Sequence, residues 1–227
     1  MALTYLESAP STNGWARERL PGLSVGDGCY TFYQTEGRGR RGKPWLSPPG
    51  AGLALSVIVT NRPGLPLMIG LAALEALGDE RLMLKWPNDF VAEGKKLGGI
   101  LCERRGGNAA AIAGIGINLT QTEGQLAALG LPHATSLAML KIEADADKLA
   151  ADIVQALLRM DSQPFVDYKE YYQSHCVNMG RQVVTDTGLS GVAAGVDDAG
   201  DLLIQTAGGI VPVAAGEVSI RGVYGYV

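Results

Sequence analysis

Three observations predict an α+β chain that ends in a small all-β module. Strand-like runs such as Leu53 to Thr60 and Ala109 to Leu119 are interleaved with segments of helical spacing such as Leu149, Ile153, Leu157 and Met160. From about Arg181 the texture changes to short apolar or alternating runs separated by Gly and Asp. The 227 residues, 47% of them hydrophobic, are enough to bury a full core, in one domain or in one large and one small. These patterns set the order of elements and divide the chain into residues 1–178 and 179–227.

In chain order, Ser11-Thr12-Asn13 precedes Trp15, Ala16, Arg19 and Leu20 and is stopped by Pro21-Gly22, the pattern of a short capped helix. Cys29 to Gln34 alternates as a strand. In Gly37-Arg38-Gly39-Arg40-Arg41-Gly42-Lys43 the glycines disfavour helix and strand and the four cations repel one another, so a mobile loop is expected. Leu53 to Thr60 reads as a buried strand. Pro66 to Leu77, with Pro at its start and Gly78 at its end, reads as a buried helix. Leu82 to Trp86 is a strand that Pro87 ends. Gly98 to Arg104 and Ala109 to Leu119 form a hairpin around Gly106-Gly107-Asn108. A helix through Leu149 to Met160 and a second through Phe165, Tyr168 and Tyr172 close the larger part. The module then offers four strands, Gln182 to Thr185, Leu189 to Val196, Leu202 to Thr206 and Ile210 to Ala214. It is near the size at which a core barely stabilises itself, so it should pack on the larger part.

Charge and composition exclude several functions. Only 19% of residues are charged, the formal net charge is -4 and the pI is near 5.2, so bulk electrostatics support no general affinity for DNA, RNA or anionic membrane. Apolar stretches are broken well before the roughly 20 residues that span a bilayer, and no charged n-region precedes an apolar run at the N-terminus. The three cysteines, Cys29, Cys102 and Cys176, fit reduced thiols in a cytoplasm better than a disulfide framework. With only His133 and His175, a zinc site is not expected.

Two motif matches fail on context. Gly37-x-Gly39-x-x-Gly42 fits a dinucleotide fingerprint but leads into Pro44, Trp45 and Ser47-Pro48-Pro49, where no helix N-terminus can receive a pyrophosphate. Gly22-Leu23-Ser24-Val25-Gly26 fits a hydrolase elbow but lacks the strand before it and the helix after it. Gly114-Ile115-Gly116-Ile117-Asn118 lies inside an apolar strand, where glycines also serve close packing. The Gly/Arg loop is the informative segment. Four cations in an acidic protein, spaced by glycines that let backbone N–H groups approach an oxyanion, point to a phosphate, with an RNA-touching loop as the alternative.

Gln34 through Trp45, Lys85-Trp86-Pro87-Asn88-Asp89, Lys96 through Glu103 and Gly114 through Asn118, together with Ser11-Thr12-Asn13, resemble in order and spacing the signature segments of biotin protein ligases. The resemblance covers residues 5 to 225. It implies a class II aminoacyl-tRNA synthetase-like domain, a mixed and mainly antiparallel sheet flanked by helices, followed by a small SH3-like β-barrel. It also implies the form without the DNA-binding helix-turn-helix domain of repressor members, and it admits a homodimer. Carried over residue by residue, it gives Ser11, Thr12, Asn13, Gln34, Arg38, Gly39, Arg40, Trp45, Lys96 and Gly99 to biotin. Arg40, Arg41, Lys85, Asn88, Lys96 and Asn118 fall to ATP, with Asn118 at adenine. Arg40, Lys96 and Asp89 become the catalytic set, and Asp89 a contact for Mg2+ held with ATP.

The implied reaction activates biotin with ATP as biotinyl-5'-AMP, then transfers it to a lysine of a biotin carboxyl carrier protein. Two readings compete. A lipoate or octanoate ligase would use the same fold and chemistry on another acid. A non-enzymatic RNA-binding protein would use the Gly/Arg loop, against which stand the acidic pI and the lack of aromatics within the loop.

Overall fold

A computed structural model describes residues 1–104, 109–214, 216–220 and 223–224. The larger part is a seven-stranded sheet built from β1 (Leu3–Tyr5), β2 (Gly28–Thr31), β3 (Gly52–Thr60), β4 (Leu82–Lys85), β5 (Asp89–Ala92), β6 (Lys95–Arg104) and β7 (Ala110–Asn118), in the order β1-β2-β3-β7-β6-β5-β4. Only β1 and β2 run parallel; the other pairs are antiparallel. The sheet is therefore mixed and mainly antiparallel, as expected.

Alternation along the central strands assigns the two faces. Leu53, Leu55, Val57 and Val59 of β3 and Ala113, Ile115 and Ile117 of β7 join the main core with α2 (Leu65–Leu77) and α4 (Ala146–Met160). Ile58 and Ile112 point the other way and pack on Ala16 and Leu20, in and just after α1 (Thr12–Arg19). Helix α2 carries Pro at its start and Gly78 at φ +64° as its cap, a conformation that a residue with a Cβ adopts at a cost.

Several boundaries differ from the sequence expectation. Strand β2 stops at Thr31, because the Thr31 hydroxyl takes the Tyr33 N–H at 3.1 Å and competes with the ladder. The helix expected through Phe165 to Tyr172 is a 3-10 turn, Phe165–Tyr168, followed by α5 (Lys169–Ser174). β1 and β5 are too short for an alternation pattern to reveal. α3 (Glu123–Ala128) does carry a legible signal: Thr122 and Gln125 exchange hydrogen bonds as a capping box. The turn expected at Gly106-Gly107-Asn108 lies outside the described residues.

The second sheet contains β8 (Gln182–Thr185), β9 (Ser190–Val196), β10 (Leu202–Thr206), β11 (Gly209–Val213) and β12 (Val218–Ile220), all antiparallel, in the order β11-β10-β9-β8-β12. Four of these five strands were expected from the sequence. Val183, Ala193, Leu202, Ile204, Val218 and Ile220 join the main core, so the module shares its interior with the larger part. Trp86 ties the two together: its indole N–H donates to Gly200 O at 3.0 Å, while its backbone N–H donates to Asn178 Oδ1 at 2.8 Å.

Candidate active site

Opposite the main core, the sheet face carries small residues. Ala54 and Ser56 of β3, Gly99 of β6, and Gly114 and Gly116 of β7 leave a shallow floor beside α1. A Cβ at Gly114 would lie 2.3 Å from Asn13 Oδ1, and one at Gly116 would lie 2.7 Å from the Trp45 ring. The glycines of this strand thus make room for site side chains, which decides between the two readings of that motif. Above the floor is a cavity of about 370 Å3, within the range of small-molecule sites.

At one end, the start of α1 supplies Ser11, Thr12 and Asn13. Ser11 caps the helix, its hydroxyl accepting from Gly14 N at 3.3 Å. Gln34 Oε1 accepts from Thr12 N at 2.8 Å and from the Thr12 hydroxyl at 3.2 Å. Asn13 Nδ2 donates to Glu103 Oε2 at 2.8 Å and to Leu101 O at 3.2 Å, while Asn13 Oδ1 accepts from the Ser56 hydroxyl at 2.5 Å. Arg17 in turn pairs with Glu103.

The other end is cationic. Arg38, Arg40, Arg41, Lys43, Lys85 and Lys96 all line the cavity. The Gly/Arg segment is folded: Arg38 bridges Pro44, Arg40–Gly42 form a 3-10 turn, and Arg41 takes φ +55°. Arg40 donates to Asn88 Oδ1 at 2.8 Å, Arg41 pairs with Asp186 at 2.5 Å and Lys43 with Glu217 at 2.6 Å. Two of these partners belong to the β module, which no motif in the sequence announced.

Lys96 and Asp89 meet because of a bulge. Positions 96 and 99 of a regular strand face opposite ways, but the register of β5 on β6 shifts between Phe90 and Val91, which turns Lys96 onto the face of Gly99. Lys96 Nζ then lies 2.6 Å from Asp89 Oδ1, and a Cβ at Gly99 would stand 3.6 Å from that ammonium. Asp89 Oδ2 accepts from the Tyr224 hydroxyl at 2.8 Å. Lys85 is only 6% exposed and sits 5.1 Å from the centre of the Tyr224 ring; burial pushes its pKa down, offset in part by Asp89.

The structure brings every sequence-expected site residue to this one cavity. Asn118 is the most committed structurally: its Nδ2 donates to Thr135 O at 2.9 Å and its Oδ1 accepts from Gln121 at 3.1 Å. Ser56, Glu103, Glu217 and Tyr224 went unread. Ser56 left one trace, a hydroxyl within an apolar strand.

Among the described residues, the hydrolase-like turn and the thiols offer no site for other chemistries. Ser24 sits in a turn held by Asp27, with no helix behind it. Burial pushes the Cys29 and Cys102 thiols up to about 12, so neither is a ready nucleophile. Among the described residues no group of three or more His, Cys, Asp and Glu is placed to hold a metal.

A model of the biotin/lipoate A/B protein ligase family matches residues 4–119, and one of the biotin protein ligase C terminal domain matches residues 180–221. The bifunctional ligase/repressor BirA of Escherichia coli K12 is 34% identical, over 97% of this chain and 74% of its own length. The chain belongs to the biotin protein ligase family. A second ligase relative, the biotin–acetyl-CoA-carboxylase ligase of Paracoccus denitrificans, is 30% identical over 96% of this chain and 100% of its own. The solved structure of biotin protein ligase from Aquifex aeolicus in complex with biotin and ATP matches with a TM-score of 0.80 at 30% identity, covering 97% of this chain and 98% of that one. Ligase family, sheet and cavity therefore agree.

Proposed function

We propose that this chain is an ATP-dependent biotin protein ligase that forms biotinyl-5'-AMP and passes biotin to a lysine of a biotin carboxyl carrier protein. The observation that carries this reading is one cavity with an amide and hydroxyl cluster at one end and six cations at the other. Ser11, Thr12, Asn13 and Gln34 would hold the ureido head of biotin, and Trp45 over Gly116 its apolar body. The carboxylate would then lie among the cations with the triphosphate.

In the first step a biotin carboxylate oxygen bonds to the α-phosphorus of ATP and the bond to the bridging oxygen breaks, releasing pyrophosphate. Negative charge grows on the phosphate oxygens. A fixed cation about 4 Å away contributes on the order of 4 kcal/mol at an effective dielectric near 20, before desolvation. Arg40, held by Asn88, and Lys96, held by Asp89, are the groups we assign to that task, with Arg41 and Lys85 beside them. Asn118 and its neighbours Leu131 and Ala134 form the wall we assign to adenine.

Asp89 and Glu217 are the carboxylates among the described lining residues, too few for a protein cage around Mg2+. The residues fit that ion only as a companion of the triphosphate, with Asp89 as its protein contact. It would supply charge neutralisation. In the second step the neutral carrier lysine attacks the acyl carbon and AMP leaves; Asp89 would orient that amine or take its proton. The Gly/Arg loop, closed over the cavity, keeps water from the mixed anhydride. Among the described residues no helix is long and apolar enough to cross a membrane, and with three free cysteines we assign the protein to the cytoplasm.

The deciding experiment is acid-dependent exchange of labelled pyrophosphate into ATP, with biotin, lipoate and octanoate in parallel. Exchange with biotin alone is expected. Exchange with lipoate or octanoate instead would move the assignment to those acids.

A further inference from the structure

The Asn13 amide has a chemically forced orientation. A carboxylate accepts hydrogen bonds and donates none, so the Asn13 group facing Glu103 at 2.8 Å must be its NH2. Leu101 O takes the second N–H and requires the same sense. Both donors are then occupied, and the carbonyl oxygen is what Asn13 offers the cavity, beside Ser56. Gln34 is set the opposite way. Thr12 occupies its carbonyl oxygen through N–H and O–H, so Gln34 offers its NH2. One end of the cavity, which both residues line, therefore presents an acceptor and a donor, the complement of a cyclic urea with its N–H and C=O groups. Glu103 lies outside the cavity wall, on β6, and Arg17 of α1 holds it there.

We propose that Glu103 is a specificity-determining positioning residue: by locking the Asn13 amide it turns an acceptor toward the head group and selects acids that carry N–H donors there. This inference rests on the biotin ligase reading. Without Glu103 only the longer bond to Leu101 O, at 3.2 Å, holds that sense, and the amide can turn over, placing its NH2 toward the ligand's N–H groups and leaving two donors face to face. An acid without those donors, such as lipoate, is indifferent to the change. Arg17 acts one step further out, by keeping the carboxylate against α1.

The test is pyrophosphate exchange by the full chain and two variants, Glu103→Leu, which removes the acceptor, and Glu103→Gln, which keeps one. For Glu103→Leu the KM for biotin should rise about tenfold while kcat and the KM for ATP stay within about twofold, the pattern of lost ground-state binding. Glu103→Gln should remain within about threefold of the parent in all three constants. Any residual exchange with lipoate should be the same in all three proteins. If the parent protein shows no exchange with biotin, the function itself is wrong, whatever Glu103 does. If the parent is active and Glu103→Leu keeps its KM for biotin, or loses kcat and ATP affinity in parallel, the positioning role is overturned. It is overturned equally if Glu103→Gln is as impaired as Glu103→Leu.

Discussion

Lys85 shows what the site costs the fold. Its ammonium is buried against Tyr224, and desolvation pushes its pKa down, so the folded state binds its proton less tightly than the unfolded chain does. The penalty is therefore complete at low pH, and stability rises as pH passes through the lowered folded pKa, levelling off once the unfolded side chain also loses its proton. Lys85→Met should raise the unfolding free energy by on the order of 1 kcal/mol, and the thermal midpoint with it, while lowering biotin-dependent exchange at least about tenfold. A variant both less stable and fully active would refute the assignment. Gly114 works in the opposite sense, since its missing side chain is the space Asn13 uses. Gly114→Ala should raise the KM for biotin more than that for ATP, and unchanged biotin binding in titration calorimetry would rule this out. At this scale the sequence was legible where types cluster, as in Ser11-Thr12-Asn13 or Lys85 to Asp89. It was silent on Glu103 and Tyr224, because a hydrogen bond between residues 90 or 135 positions apart leaves no local pattern.

Elements explain why those clusters meet. The continuous apolar pattern predicted the central strands well, since β3 and β7 are buried on both faces or lined by glycine. It could not predict the bulge opposite Phe90 that turns Lys96 toward Asp89, because a bulge is a register event between two strands. The Gly/Arg segment was expected to be a mobile loop; it carries a 3-10 turn at Arg40–Gly42, and its docking on β-module carboxylates was invisible in the sequence. Fixing each loop residue costs about 1–2 kcal/mol. An exposed ion pair contributes about 0–1 kcal/mol, so Arg41 with Asp186 and Lys43 with Glu217 do not hold the closed form alone. Ligand contacts must supply the difference. Tryptic cleavage after Arg38, Arg40 and Arg41 should accordingly slow when biotin and ATP are added together, and cleavage at an unchanged rate would count against closure over the ligand.

On the scale of the whole molecule, the β module closes the site from outside the sheet. It supplies Asp186 and Glu217 to the loop, and Tyr224 reaches Asp89 from beyond its last strand. The change of texture at Arg181 revealed that the module exists, yet not this function, since nothing local marks Glu217 as the partner of a residue 174 positions earlier. Because Lys43 and Glu217 are both exposed, reversing either charge should change stability by only about 0–1 kcal/mol, the usual worth of such pairs, and leave the thermal midpoint nearly unchanged. Retention of the adenylate should respond instead. Lys43→Glu and Glu217→Lys should each shorten the time biotinyl-5'-AMP stays bound through rapid gel filtration, and the double reversal should restore much of it. The partner cations hold the Asp186 and Glu217 carboxyls below their ordinary values. Their contribution is accordingly complete at neutral pH and lost as pH falls through the carboxylate range, so retention in the parent should weaken in acid along the same course. A double reversal no better than either single variant would mean that the module braces the sheet without latching the loop, and the closed site would then depend on its ligands alone.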